Sequence, residues 1–178
     1  MNDTPVLQTA PAGPVQGREC GSCTLCCKVL HFADIDKPAG KWCQHVAQGR
    51  GCSIHATKPD VCRVYHCEWM LNPSLGPEWK PDRARFVMGT YPGTTALAVW
   101  LDPGAQGAWL KEPYYSMIKH WARIALINNT DVMVLNGNRV TVVLPTGNAD
   151  LGPLETGDNI VVYNQGGTYS AAVERAAG

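Results

Sequence analysis

The chain has no surplus of charge, no membrane-length apolar run and no secretory pattern in its first residues, and each lack removes a class of function. Lys plus Arg number 15 and Asp plus Glu number 15 over 178 residues, so no basic face advertises nucleic acid, and none is expected as a partner. The opening MNDTPVLQTAPAGPVQGRE lacks a positively charged start and an apolar stretch of signal-peptide length. No later run reaches the length of a transmembrane span, so no membrane partner is expected. These features predict a protein of the reducing cytoplasm. A glycine-rich phosphate loop, a nucleophile elbow and a paired-carboxylate arrangement are also missing, so the sequence names no catalytic residue. What is present is the balance of a folded globule, 45% hydrophobic and 17% charged, of a size for one ordinary domain or a small module with an appendage.

Cysteine is absent after position 67, which concentrates all eight at Cys20, Cys23, Cys26, Cys27, Cys43, Cys52, Cys62 and Cys67. Such crowding reads either as a disulfide staple of a secreted protein or as a thiolate cage around metal. A reducing compartment disfavours disulfides and leaves metal as the stronger reading. Cys20-x-x-Cys23-x-x-Cys26-Cys27 lets a short loop wrap its sulfurs around one centre, a pitch common to zinc and iron–sulfur sites. Adjacent Cys26 and Cys27 project in different directions and would more naturally serve two centres than chelate one metal together. Eight thiolates make two tetrahedral sets, although spacing alone does not say which four belong together.

The run CGSCTLCC, then Cys43, then CSIHATKPDVCRVYHC from Cys52 to Cys67 resembles the YkgJ-type cysteine-cluster proteins, the CxxCxxCC family of zinc- or iron-chelating domains. All eight family cysteines have a matching position. Lys58-Pro59 resembles the family's basic-residue-proline element, and Cys62-Arg63 with Tyr65 and Cys67 resembles its cysteine-arginine-aromatic-cysteine ending. The likeness covers about residues 19–82. It implies metal chelation by the eight cysteines and no settled reaction; the family name has also been attached to lysine methylation of a protein. His55 departs from the pattern, where the family usually has an aromatic residue, which argues against it as an obligatory ligand.

Soft thiolates point to zinc or to iron, the latter as an iron–sulfur cluster, and away from magnesium, calcium or manganese. Zinc and iron–sulfur stay open. So do three functional classes: a metal chelator, an iron–sulfur-dependent redox or group-transfer enzyme (protein N-methylation being one such transfer), and a zinc-stabilised module that docks a protein partner or small ligand. Arg63, Lys28 and Lys58 are the nearest compensating cations, with Lys28 and Lys58 more simply read as solvated charges. His66, four residues after Cys62, reads as a neighbour of the site and not a ligand. His31 and His45 lack a ligand-like spacing. Trp42, Trp69 and Trp79 read either as shields of the centre or as core filling.

The predicted class is α+β, with a small metal-stabilised cysteine-rich module followed by a mainly antiparallel β-sheet with one amphipathic helix. Residues 1–18 read as a flexible tail, 19–82 as the cysteine-cluster module and 83–178 as the α+β region. Thr57, Pro59 and Asp60 form a capping-box pattern that predicts a helix carrying Cys62, Arg63 and His66. Strands are predicted at 85–91, 95–101, 132–135, 140–144, 160–163 and 168–173, with turns at Pro92-Gly93, Asn136-Gly137 and Gly166-Gly167. The helix at 113–127 places Met117, Ile118, Trp121, Ile124, Ala125 and Ile127 on one side, with Lys119, His120 and Arg123 on the other. That order is β, β, α, then four strands, with no β-α-β series that would require a parallel sheet.

Overall fold

The computed structural model describes residues 13–47, 49–155 and 157–175; residues 1–12 of the expected tail lie outside them. The cysteine-bearing part consists of pieces too short to bury a core alone. They are helix α1 (Cys26–Val29), a ribbon of β1 (Val46–Ala47) and β2 (Gly51–Cys52), and helices α2 (Asp60–Val64), α3 (Glu68–Leu71) and α4 (Pro81–Ala84). Then come strands β3 (Phe86–Thr90) and β4 (Leu97–Leu101), helix α5 (Tyr114–Ile127), and strands β5 (Val132–Asn136), β6 (Arg139–Leu144), β7 (Gly147–Pro153), β8 (Asn159–Gln165) and β9 (Thr168–Glu174). Among the described residues no helix is long and apolar enough to cross a membrane.

The class is mixed α and β with a mainly antiparallel sheet. Five strands lie in the order β3-β4-β5-β6-β7, and β8 pairs with β9 in a separate ribbon. Every neighbouring pair in the large sheet is antiparallel except β4 and β5, which run parallel. This corrects the expected absence of a β-α-β unit: a parallel pair needs a long crossover, and α5 supplies it. Five strands, not four, follow the helix. The unforeseen one is β7, whose sequence GNADLGP carries two glycines and a proline, the composition of a loop. Pairing to β6 holds it extended, with a bulge opposite Val140 and Thr141 and Gly152 at φ +74°.

Local turn chemistry differs from the sequence pattern at two places. In the β5–β6 hairpin Asn136 pairs with Arg139, so Gly137 and Asn138 are the central residues and Gly137, at φ +64°, takes the left-handed position. The capping box at Thr57 is not made. Pro59 pushes Lys58 into extended backbone (ψ 147°), Thr57 ends a separate 3-10 turn, and α2 begins at Asp60 with no side-chain cap. The chain leaves the helix at Tyr65, so Cys62 and Arg63 ride on α2 but His66 does not.

Period-two alternation along the sheet decides what each face covers. Phe86, Met88, Val99, Val132 and Val134 face α5, whose Ile118, Trp121, Ala122 and Ala125 lie one above another at i, i+3, i+4 and i+7. Ile127, expected on that apolar side, is 81% exposed at the helix end. On the opposite face Val87 packs with Leu25, Val29, Leu30, Cys67 and Met70 of the cysteine-bearing part, with Trp100 at its margin. Ala98, Met133, Leu135 and Val140 form a further cluster there, against Leu154 and Ile160. Both faces are therefore covered, which is why β3, β4 and β5 read as near-continuous apolar runs.

Apolar packing crosses the expected boundary near residue 82, and so does an ion cluster. Lys28 Nζ of α1 lies 2.7 Å from Asp102 Oδ1, while Arg85 Nη2 lies 2.5 Å from Asp102 Oδ2. Residues 13–18 are also tethered: the Val15 amide donates to Met70 O at 2.8 Å, and the Arg18 guanidinium donates to the carbonyls of Asn72 (2.7 Å) and Leu75 (2.6 Å).

Candidate metal centre

All eight cysteines line one cavity of about 590 Å³. They arrive from separate pieces of backbone. The Cys23 amide donates to Cys20 O at 2.9 Å, closing the first C-x-x-C into a turn. Cys26 and Cys27 stand on α1, Cys52 ends β2, Cys62 rides on α2 and Cys67 precedes the first turn of α3. Cys43 is fixed by its own amide, which donates to Cys27 O at 2.9 Å. The ribbon meets the first loop closely: Gly51, at φ +95°, has its hydrogen where a Cβ would come within 2.7 Å of Gly21 O. Only glycine combines that backbone with that approach.

No cysteine is in a disulfide. Cys26 Sγ and Cys27 Sγ lie 3.9 Å apart. Among the described residues no three His, Cys, Asp or Glu side chains converge into a group that would hold a metal ion as they stand. The thiols share a space rather than a point.

Electrostatics describe how they share it. Burial pushes the Cys67 thiol up to about 12, with further upward pressure from Cys20 and Cys23. Burial likewise raises Cys23, and it raises Cys62 together with Cys27, Cys43 and Cys52. The contact between Cys26 and Cys27 raises Cys26 well above the usual thiol value and lowers Cys27, which Lys37 and Lys58 lower further. The surroundings thus oppose thiolate formation at Cys23, Cys26, Cys62 and Cys67, and a cation among the sulfurs is what would reverse that.

Three further side chains stand around the thiols, and of these only Tyr65 belongs to the cysteine pattern. Lys37 is buried, donates from Nζ to Lys28 O at 2.8 Å and to Leu30 O, and lies in electrostatic reach of Cys27, Cys26 and Cys43. A small hairpin closed by Phe32 and Lys37, with Asp36 in the left-handed region, delivers it there. Arg18 is within reach of Cys67. The buried hydroxyl of Tyr65 has no hydrogen-bond partner among the described residues and lies in electrostatic reach of Cys67, Cys26, Cys20 and Glu68. An apolar wall rarely leaves such a donor unpaired. The donor set and this orphaned hydroxyl fit a thiolate-bound metal, because coordinated sulfur carries charge that an O–H can donate to.

The other expectations divide. Lys58 lines the cavity. Lys28 is neither solvated nor turned to the thiols, since Asp102 holds it. Arg63 points away, donating to Lys58 O at 3.1 Å beside Asp60. Trp69 lines the cavity, Trp79 belongs to the α5 core and Trp42 is exposed under Lys28. His45, exposed His55 and His66 reach the cavity wall, with His66 Nδ1 3.1 Å from Val64 O. Sequence gave no signal for Lys37 or Arg18, because neither has a fixed spacing to a cysteine.

No family model matches the chain, and no curated protein or solved structure matches it.

Proposed function

We propose that this chain is a metal-binding protein that chelates zinc or iron, the iron as an iron–sulfur cluster, through its eight cysteines. One observation carries the reading: eight thiols from six separate backbone pieces converge on one cavity while none is oxidised to a disulfide. The resemblance of residues 19–82 to YkgJ-type cluster proteins points the same way. Soft sulfur donors select these metals over oxygen-seeking ions.

A structural role for the centre is favoured over an enzymatic one by a second observation. Cys67 and Cys26 are part of the apolar cluster that joins the cavity wall to Val87 of the sheet, so a metal there would tie short helices to a common core. Such a module would present a fixed surface to a protein partner or small ligand. An iron–sulfur redox or group-transfer enzyme is the alternative.

Anaerobic purification followed by metal analysis and absorbance tests the proposal. Stoichiometric iron and acid-labile sulfide with a broad visible band identify a cluster; stoichiometric zinc in a colourless protein identifies the structural metal. Protein that is isolated without either metal, and takes up neither when reduced and supplied with it, contradicts the reading.

A further inference from the structure

Resting on the metal-binding reading, we propose that the buried ammonium of Lys37 is a counter-ion to a metal centre of net negative charge. It strengthens sulfur coordination in the loaded protein and opposes the fold of the cysteine-bearing part in the empty one.

Among the described residues two charged side chains are buried, Asp102 and Lys37, and the fold treats them differently. Asp102, 2% exposed, has one carboxylate oxygen 2.7 Å from Lys28 Nζ and the other 2.5 Å from Arg85 Nη2. Lys37, 4% exposed, donates only to backbone carbonyls, that of Lys28 at 2.8 Å and that of Leu30. No carboxylate among the described residues lies within ion-pair distance of it. Asp34 and Asp36, its neighbours on the same hairpin, are exposed. A charge taken out of water is costly unless an opposite charge meets it. Two carbonyls orient the ammonium without neutralising it.

Backbone bonds fix where that charge stands. The hairpin is closed in both directions, the Phe32 amide donating to Lys37 O at 2.9 Å and the Lys37 amide to Phe32 O at 3.0 Å. Consecutive carbonyls of α1 then take two different donors: Cys27 O accepts the Cys43 amide at 2.9 Å, and Lys28 O accepts the Lys37 ammonium. One peptide unit therefore separates the anchor of the ammonium from the bond that joins Cys27 to Cys43. Phe32 and Ile35 of the hairpin line the cavity together with those two cysteines, whereas Lys37 does not, which puts its charge behind the wall. From there it is in electrostatic reach of Cys27, Cys26 and Cys43.

What the ammonium lacks is an anion, and the cavity supplies one when its thiols ionise together on a cation. Four thiolates on a divalent ion leave about two surplus negative charges, as do four thiolates on an oxidised four-iron cluster. Two thiolates and two imidazoles on a divalent ion would be neutral, and would leave Lys37 as uncompensated as an empty cavity does. The buried charge therefore favours an all-sulfur shell over one that recruits His45, His55 or His66, although all three reach the cavity wall. Lys37 acts here through its field, not as a ligand.

The test uses the full-length chain, reduced and stripped under anaerobic conditions, then titrated with Cd²⁺ alone against a competing chelator. Sulfur-to-cadmium charge-transfer absorbance reads occupancy. Lys37→Met removes charge and donor, Lys37→Gln keeps a donor without charge, Lys37→Arg keeps the charge, and Lys111→Met removes an exposed charge outside the cavity. Cd²⁺ affinity should fall about tenfold to a hundredfold in Lys37→Met and Lys37→Gln alike, recover in Lys37→Arg and stay unchanged in Lys111→Met. Urea unfolding gives a second readout. The loaded Lys37→Met protein should have a lower midpoint than loaded wild type, while the stripped variant should match or exceed stripped wild type, a divergence that a mere cap of α1 does not produce. This divergence decides the outcome if the larger guanidinium does not fit. Wild-type affinity in either uncharged variant, or equal lowering of the loaded and stripped midpoints, overturns the counter-ion role while leaving metal binding intact. Failure of the wild-type chain to bind Cd²⁺ through sulfur overturns the metal reading itself, and this role with it.

Discussion

At the scale of single residues, the groups that matter most around the cavity are those that answer to charge on sulfur. Tyr65 is the clearest, since its ring is packed edge-on to Phe32 at 5.9 Å while its buried hydroxyl is unpaired among the described residues. Tyr65→Phe keeps the ring and removes only the donor, so circular dichroism should be unchanged while metal affinity falls about tenfold, the lower range for partners of metal ligands. Competition with a chelator measures this; unchanged affinity would show that the hydroxyl serves no sulfur. Gly51→Ala makes a different demand. It forces a Cβ toward Gly21 O in a left-handed backbone, a strain of about 1–3 kcal/mol, and should lower the midpoint of denaturant unfolding of the metal-loaded protein. An unshifted midpoint would mean that the ribbon and the first loop separate freely. Sequence reading located the cysteines because their spacing is fixed by what a loop can wrap around. It missed Lys37 because a hairpin between Phe32 and Lys37 sets its approach, and no local pattern in HFADIDK announces that pairing.

At the scale of elements, α1 is the piece that connects cavity and sheet. Four residues make it too short to persist alone, yet Val29 is buried in the cluster over Val87 and Lys28 is fastened to Asp102. Burial works against the Asp102 carboxylate, but hydrogen bonds from Lys28 and the Gly104 amide, with the charges of Lys28 and Arg85, hold it below the ordinary value. A carboxylate lowered on folding stabilises the fold above its unfolded value near pH ~3.9, and this contribution is lost as pH falls through the folded value. Asp102→Asn should therefore cost about 1–3 kcal/mol at neutral pH and progressively less as acid protonates the wild-type carboxyl. Urea unfolding across a pH series checks it, and a constant difference down to acid pH would assign the loss to something other than this charge. The long elements were legible because α5 and the strands repeat apolar residues at 3.6 and 2. β7 was not, because pairing along β6 rather than its own residues makes it a strand. The α2 cap also failed to form, because Pro59 dictated the backbone before Thr57 could close it.

At the scale of the whole molecule, the cysteine-bearing part and the sheet share packing and an ion cluster, so the metal centre would be a fastener within one folded body. Sequence alone separated the two halves because composition changes sharply after Cys67, whereas the contacts that join them, Val87 on Met70 and Asp102 on Lys28, are long-range and carry no local signal. The arrangement also bears on acid: thiols raised by burial at Cys23, Cys62 and Cys67 must lose their protons to bind metal. The claim on which the rest stands is sulfur ligation, and X-ray absorption at the metal edge of anaerobically purified protein measures it directly. The expected first shell is about four sulfurs per metal at ~2.3 Å; a shell dominated by oxygen or nitrogen would contradict it.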